Sequence, residues 1–282
     1  MRRLFTHRMA SLLCLALIFG QQTVQAAEEK PLWEIGAGVA ALSFPAYRGS
    51  NETKNLFLPV PHFTYHGEFF KADREGVRGS LFDSDRVDLT ISLALSPPAS
   101  SDDVTARAGM TDLHGSFEIG PQLDLTLWRS ANRARFVKLR LPLRAAFTLE
   151  STPQDIGLVF HPKLNMDVRD LPGMAGWNLG LKAGPLFGDQ RQHAYYYSVA
   201  PQFATANRPA YDAQSGYGGM QYLAALSKRF PKYWIGGFVR YDSLSGATFA
   251  DSPLVQKKDY FAAGFAVTWI LGESSTRVLV DD

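Results

Sequence analysis

The sequence predicts an all-β protein: a closed, antiparallel transmembrane β-barrel of about 12 strands (about 10–14 by this count), made behind a cleaved signal peptide. Three observations carry that reading. Apolar and polar residues alternate with a period of two in segment after segment. Many of these segments are long enough to cross a bilayer as tilted strands. The N-terminus has the layout of an export signal, and the one cysteine of the 282 residues lies inside it.

The export segment comes first. Arg2, Arg3 and Arg8 flank an apolar stretch from Met9 to Gly20, and Val24-Gln25-Ala26 supplies the small-residue cut site. An apolar core of about a dozen residues is short for a retained helical anchor. The expected organisation is therefore a signal peptide over 1–26, a barrel over 27–271 and a tail over 272–282. Removing the signal takes away three arginines and no acid, leaving 26 basic against 27 acidic side chains. The mature chain lacks the basic footprint of a nucleic-acid binder. With Cys14 gone it has neither a disulfide nor a thiolate site.

The strands follow. Residues 87–95 place Val87, Leu89, Ile91, Leu93 and Leu95 on one face. Phe117, Ile119, Pro121, Leu123, Leu125 and Leu127 form a second stripe, and Val137, Leu139, Leu141, Leu143, Ala145 and Phe147 a third. Weaker stripes begin at Trp33, Trp177, Met220 and Phe261. In all, the alternation marks strands near 32–42, 56–66, 68–82, 87–96, 115–128, 135–148, 155–166, 176–187, 192–200, 217–228, 232–243 and 259–271.

A soluble sandwich favours strands of about five or six residues, shorter than most of these. The polar faces carry charges in mid-strand: Glu118, Asp124, Lys138, Arg140, Arg144, His161, Lys163 and Lys182. A barrel turns leucines toward lipid and such charges toward an enclosed lumen. Rings near strand ends, among them Trp33, Trp128, Phe147, Trp177, Tyr233 and Trp269, suit interfacial girdles. With the N-terminus in the periplasm, the long connections 43–54, 201–216 and 244–258 emerge outside. Residues 97–114 then emerge on the periplasmic side, unless a strand near 68–82 is miscounted. On that placing, Arg107, Met110 and Asp112 are the candidate partner-contact residues, beside short turns near 188–191 and 229–232.

Specific residues then resemble a family. Pro45-Ala46-Tyr47-Arg48-Gly49-Ser50, Leu58-Pro59, Pro61-His62-Phe63, Val77-Arg78-Gly79 and Arg107–Leu113 running into Glu118-Ile119-Gly120-Pro121 stand in the order of the MltA-interacting protein (MipA/OmpV) family. Gly184-Pro185, Tyr196-Tyr197, Tyr211 and Asp251-Ser252-Pro253-Leu254-Val255 continue it. The resemblance implies an outer-membrane barrel of Gram-negative bacteria. It also implies a non-enzymatic scaffold in peptidoglycan remodelling, whose partners are a lytic transglycosylase and a peptidoglycan synthase; other members are linked to adhesion or osmotic response. Pro45, Tyr47, Gly49, Ser252 and Pro253 are the family-motif loop residues. The sequence departs from the family at its end, where eleven residues follow Leu271 instead of a terminal aromatic.

Chemistry is hard to find. The chain contains no Gly-x-Ser-x-Gly elbow, His-Glu-x-x-His pair or phosphate loop. No cofactor or metal is expected: His62 and His66 share a strand face without a carboxylate at ligand spacing. A hydrolase would need His161 or His193 to meet a serine such as Ser198, and a triad is recognised by geometry alone. The mixed lumen charges Glu118, Asp124, Arg140, Arg144, Lys163 and Lys182 predict a narrow, paired interior. The alternatives to the scaffold are a small passive pore or adhesin, and an outer-membrane hydrolase.

Overall fold

A computed structural model describes residues 28–280 apart from 68, 69, 74 and 75. The expected signal peptide lies outside the described residues. The strands, the longest of 14 or 15 residues, form because the sequence alternates: each long run presents one apolar row and one polar row. The barrel strands are β2 (Trp33–Pro45), β3 (Thr53–His66), β4 (Phe70–Asp73), β5 (Gly76–Asp83), β6 (Val87–Ser96), β7 (Ser116–Arg129) and β8 (Arg135–Thr148). They continue with β9 (Asp155–Phe160), β10 (Lys163–Val168), β11 (Trp177–Gly188), β12 (Gly216–Arg229), β13 (Tyr233–Ser243) and β14 (Asp259–Glu273).

Each strand pairs antiparallel with the next, and β14 pairs with β2 to close the wall. β9 and β10 are two halves of one wall position. Both pair with β8 on one side and with β11 on the other, broken only at His161-Pro162, where proline has no N–H to give the ladder. The wall thus has twelve strand positions, and closure leaves no open edge. A short ribbon, β1 (Glu28–Pro31) with β15 (Arg277–Val280), joins the first and last described segments below the barrel. Among the described residues no helix is long and apolar enough to cross a membrane.

The strand total agrees with the sequence reading, but two of its members differ. The span 68–82 is not one strand: β4 pairs with β5 from Asp73↔Gly76 onward, so the chain reverses there. Asp73 and Gly76 are turn-forming types, and Asp73-Arg74-Glu75-Gly76 interrupts the alternation. The span 192–200 is not a strand but contains most of helix α1 (Gln190–Tyr197). The Asp189 side chain accepts the Gln192 N–H at 2.8 Å and caps this helix. Gly157, with φ of +104°, lets the helix start lie against the wall, because a Cβ there would meet Asp189 Oδ1 at 2.2 Å. Replacing Asp189 with alanine is expected to cost about 1 kcal/mol, read as faster proteolysis around residue 197 with the barrel intact.

One missed reversal and one false strand invert the inside–outside assignment between them. Residues 97–115 therefore lie at the same end as 46–52, 189–215 and 244–258, opposite the termini. The turn at 188–191 moves with them, while that at 230–232 stays at the terminal end.

The burial pattern is that of a soluble protein turned inside out. Leu95 is 77% exposed and Phe261 68%, with Leu93, Ile119, Leu143, Val239, Phe265 and Trp269 also exposed on the outer face. Asn165 and Asp242 are fully buried within, and Asp124, Arg140 and Arg144 nearly so. The rings form two belts. Phe117–Phe147, Phe160–Phe187–Tyr217 and Tyr222–Tyr241–Phe261 are in ring contact near the long-loop end. Trp33, Trp128, Trp177, Tyr233 and Trp269 sit near the terminal end.

Candidate functional site

The long connections fold together into a cap with its own apolar core. Phe249, Leu244, Leu254 and Val104 are fully buried there, packed with Ala46, Tyr47, Leu113, Tyr197 and Val199. The Tyr197 ring stacks on Phe249 at 3.6 Å between centroids, and His193 meets the same ring edge-on at 4.6 Å. Segments far apart in sequence thus bury their aromatics against one another.

The motif residues that looked like separate loop formers are brought together in this cap. The Tyr47 hydroxyl donates to the Leu254 carbonyl at 2.5 Å, and Ser252 Oγ donates to the Tyr197 carbonyl at 2.7 Å. Gly49, with φ of +97°, turns its carbonyl to accept the Gln256 and Lys257 amides at 2.7 and 3.0 Å. Pro45 ends β2 as it enters the cap, and the Pro253 carbonyl accepts from Gln256 Nε2. The Tyr47 and Gly49 bonds tie the first connection to the last, and the Ser252 bond ties the last to helix α1.

Arg107, Met110 and Asp112 belong to the same assembly. Arg107 is buried, donating to the carbonyls of Tyr196 and Thr111 at 3.1 Å each. Its guanidinium lies 5.9 Å from the Tyr47 ring centre. Met110 packs half-buried against the cap core, and Asp112 accepts the Ser101 amide at 2.6 Å. The argument that made them a periplasmic contact rested on the miscounted strand, and the pairing of β4 with β5 removes it.

A carboxylate joins the first two cap loops. Glu52 accepts from the Thr105 amide at 3.0 Å and from Ser50 Oγ at 2.8 Å. Partial burial pushes its pKa up, but these hydrogen bonds outweigh burial and hold it below the ordinary 4.5. A depressed carboxylate gives its stabilisation in full above that ordinary value and loses it as pH falls through the lower, folded value. Protection of the Thr105 amide, relative to its intrinsic exchange rate at each pH, is expected to fall below about pH 4.5, and Glu52→Gln should flatten that dependence.

Below the cap the lumen is filled by paired charges. Arg144 Nε donates to Glu118 at 2.8 Å and its Nη1 to Ser92 Oγ at 3.3 Å. Arg140 lies 3.7 Å from Asp124, which also accepts from Gln122 at 2.9 Å. Asn165 donates to Asp167, and Lys138 faces Asp88 at 3.8 Å. Lys163 stands directly opposite Arg140 across strands, and Lys182 opposite Asn165. The six charges expected in the lumen are therefore on inward-facing positions.

Two clusters escaped the sequence reading. Just under the cap, Asp242 accepts from Arg240 at 2.7 Å, Gln221 at 3.0 Å and Arg48 at 3.2 Å, with the Tyr260 hydroxyl 3.2 Å from the same Arg48 Nε. At the terminal end, buried Glu34 accepts from Arg229 Nε at 2.9 Å and lies near His62, whose Nδ1 is 2.8 Å from Thr268 Oγ1. The inward phase of β13 held the signal for Arg240 and Asp242. Their partner Arg48, in a loop, had none beyond its place beside Tyr47.

The groups considered for a hydrolase sit in different surroundings. His193 Nδ1 pairs with the Gln214 carbonyl at 2.7 Å, and burial lowers its pKa below the ordinary imidazole value. Ser198 Oγ accepts the Ala213 amide at 3.0 Å. His161 is buried in the lumen among cations. Among the described residues no group of three or more His, Cys, Asp or Glu is placed to hold a metal.

An apolar outer belt, an ion-paired interior, closed antiparallel pairing and a cap made from the long loops together define an outer-membrane type of β-barrel protein. The sequence profile of the family described as MltA-interacting protein MipA matches residues 37–271. The chain belongs to that family. Among solved structures, one titled "Bacterial polysaccharide outer membrane secretin" is similar at 7% identity and a TM-score of 0.41, over 85% of this chain and 99% of that one. A search of curated proteins returned no match.

Proposed function

We propose that this protein resides in the outer membrane of a Gram-negative cell. There it acts as a non-enzymatic scaffold for peptidoglycan remodelling, holding a lytic transglycosylase near a peptidoglycan synthase. The observation that carries the reading is the family membership over residues 37–271, whose name refers to interaction with the protein MltA. Two structural features support it. The lumen is occupied by ion pairs and capped, which favours a binding role over transport. The first and last described segments meet in the β1–β15 ribbon, which would face the periplasm.

The partner-contact surface is accordingly proposed at the terminal end, on that ribbon and the turn at 230–232. Leu279 is exposed there. Affinity capture of the tagged protein from detergent-solubilised envelopes tests the scaffold. A murein hydrolase and a synthase should be recovered together, and both should be lost when residues 274–282 are removed. Recovery of neither enzyme with the full chain would overturn the reading.

A further inference from the structure

The upper lumen carries more positive than negative charge. His161 lies in the repulsive field of Lys163 and Arg144 on the wall, Arg48 in the cap and Arg240 on β13. Lys163 pairs across strands with Arg140 and lies in the field of Arg144 and Lys182 as well, with Asp124 the carboxylate that offsets them. The carboxylates at this level are few, and each is already engaged. Glu118 holds Arg144, Asp124 is reached by Arg140 and Gln122, and Asp167 accepts from Asn165. Asp242 is shared between two guanidiniums, Arg48 and Arg240. Among the described residues, six cations thus share four carboxylates.

The arrangement is costly unless something negative joins it. Lys163 and Arg140 are direct cross-strand partners, a position where like charges repel. Walls of low dielectric focus the excess field into the enclosed space. One donor is also left over: Arg48 Nη2 is buried without a hydrogen-bond partner. It comes from the cap loop that roofs this space, while Lys163 comes from the wall.

We propose that the upper lumen, bounded by Arg48, Lys163, His161 and Arg240, binds a small multivalent oxyanion of the phosphate or sulfate class. Guanidinium and ammonium groups converging from three directions suit several acceptor oxygens around one centre. The cap closes the space from above, so the site takes a free anion and not the headgroup of a membrane lipid. The site is independent of the scaffold role, because it lies in the lumen and not on the terminal surface.

Thermal unfolding of the full chain in dodecyl maltoside tests this, with inorganic phosphate titrated against chloride at equal ionic strength. Phosphate should raise the midpoint saturably and chloride should not. Lys163→Gln should weaken the apparent phosphate affinity about tenfold or more, and Arg48→Gln should do the same, whereas the exposed Lys257→Gln should leave it unchanged. In anion-free buffer, Lys163→Gln should raise the midpoint by relieving the repulsion with Arg140. Equal shifts with chloride and phosphate, or wild-type affinity in both Lys163→Gln and Arg48→Gln, would overturn the proposal. So would a response to short-chain phosphatidic acid without one to inorganic phosphate.

Discussion

Asp242→Ala is expected to destabilise the protein by about 3–5 kcal/mol. The carboxylate is wholly buried and is the shared acceptor for Arg48, Arg240 and Gln221. Its removal leaves two guanidiniums close together in an enclosed lumen, with the desolvation cost intact and the attraction gone. The damage should spread to the cap, because the Arg48 carbonyl accepts the Tyr197 hydroxyl at 3.0 Å, and Tyr197 stacks on the core residue Phe249. Asp242→Asn, which keeps an acceptor and loses the charge, should fall between wild type and alanine. Urea unfolding of the reconstituted protein, followed by tryptophan fluorescence, measures both. A loss below about 1 kcal/mol for the alanine variant, the size of an exposed ion pair, would refute this account of the cluster.

Val239→Arg separates a lipid-facing wall from a water-facing one. Val239 stands mid-strand on the outer face of β13, opposite Ala224 and Ala263, and is 52% exposed. On a soluble sheet, a change at so open a position stays within about 0.5 kcal/mol. At the middle of a bilayer, arginine on a barrel's lipid face costs about 2–4 kcal/mol. The expected result is the larger loss in lipid vesicles. The inward neighbour Arg240 makes the contrast sharp, since one step along the strand exchanges hydrocarbon for an ion-paired interior.

The wall was largely legible in the sequence because its physics is local and periodic. Leu93 and Arg144 announce opposite faces through their neighbours alone. The reversal at Asp73–Gly76 was missed although Asp73-Arg74-Glu75-Gly76 interrupts the alternation there, because 68–82 was read as one long strand. Helix α1 was mistaken for a strand because His193, Tyr195, Tyr197 and Val199 also alternate. Asp189 followed three residues later by Gln192 is a helix-start signature and would have exposed the error. The two mistakes left the strand total unchanged while inverting the placing of residues 97–114. The cap was invisible for another reason. Its contacts, such as Tyr47 to Leu254 and Ser252 to Tyr197, join loops that no periodicity relates, and only closure of the wall brings them within reach.

The direct test of the outward apolar face uses the fact that the one cysteine, Cys14, precedes the expected cleavage site. A single nitroxide label on Val239→Cys in reconstituted vesicles reports what touches that surface. Collisions with oxygen well above those with a water-soluble nickel chelate are the predicted result, as in hydrocarbon. A label open to the chelate, as on a protein surface bathed in water, would contradict the account.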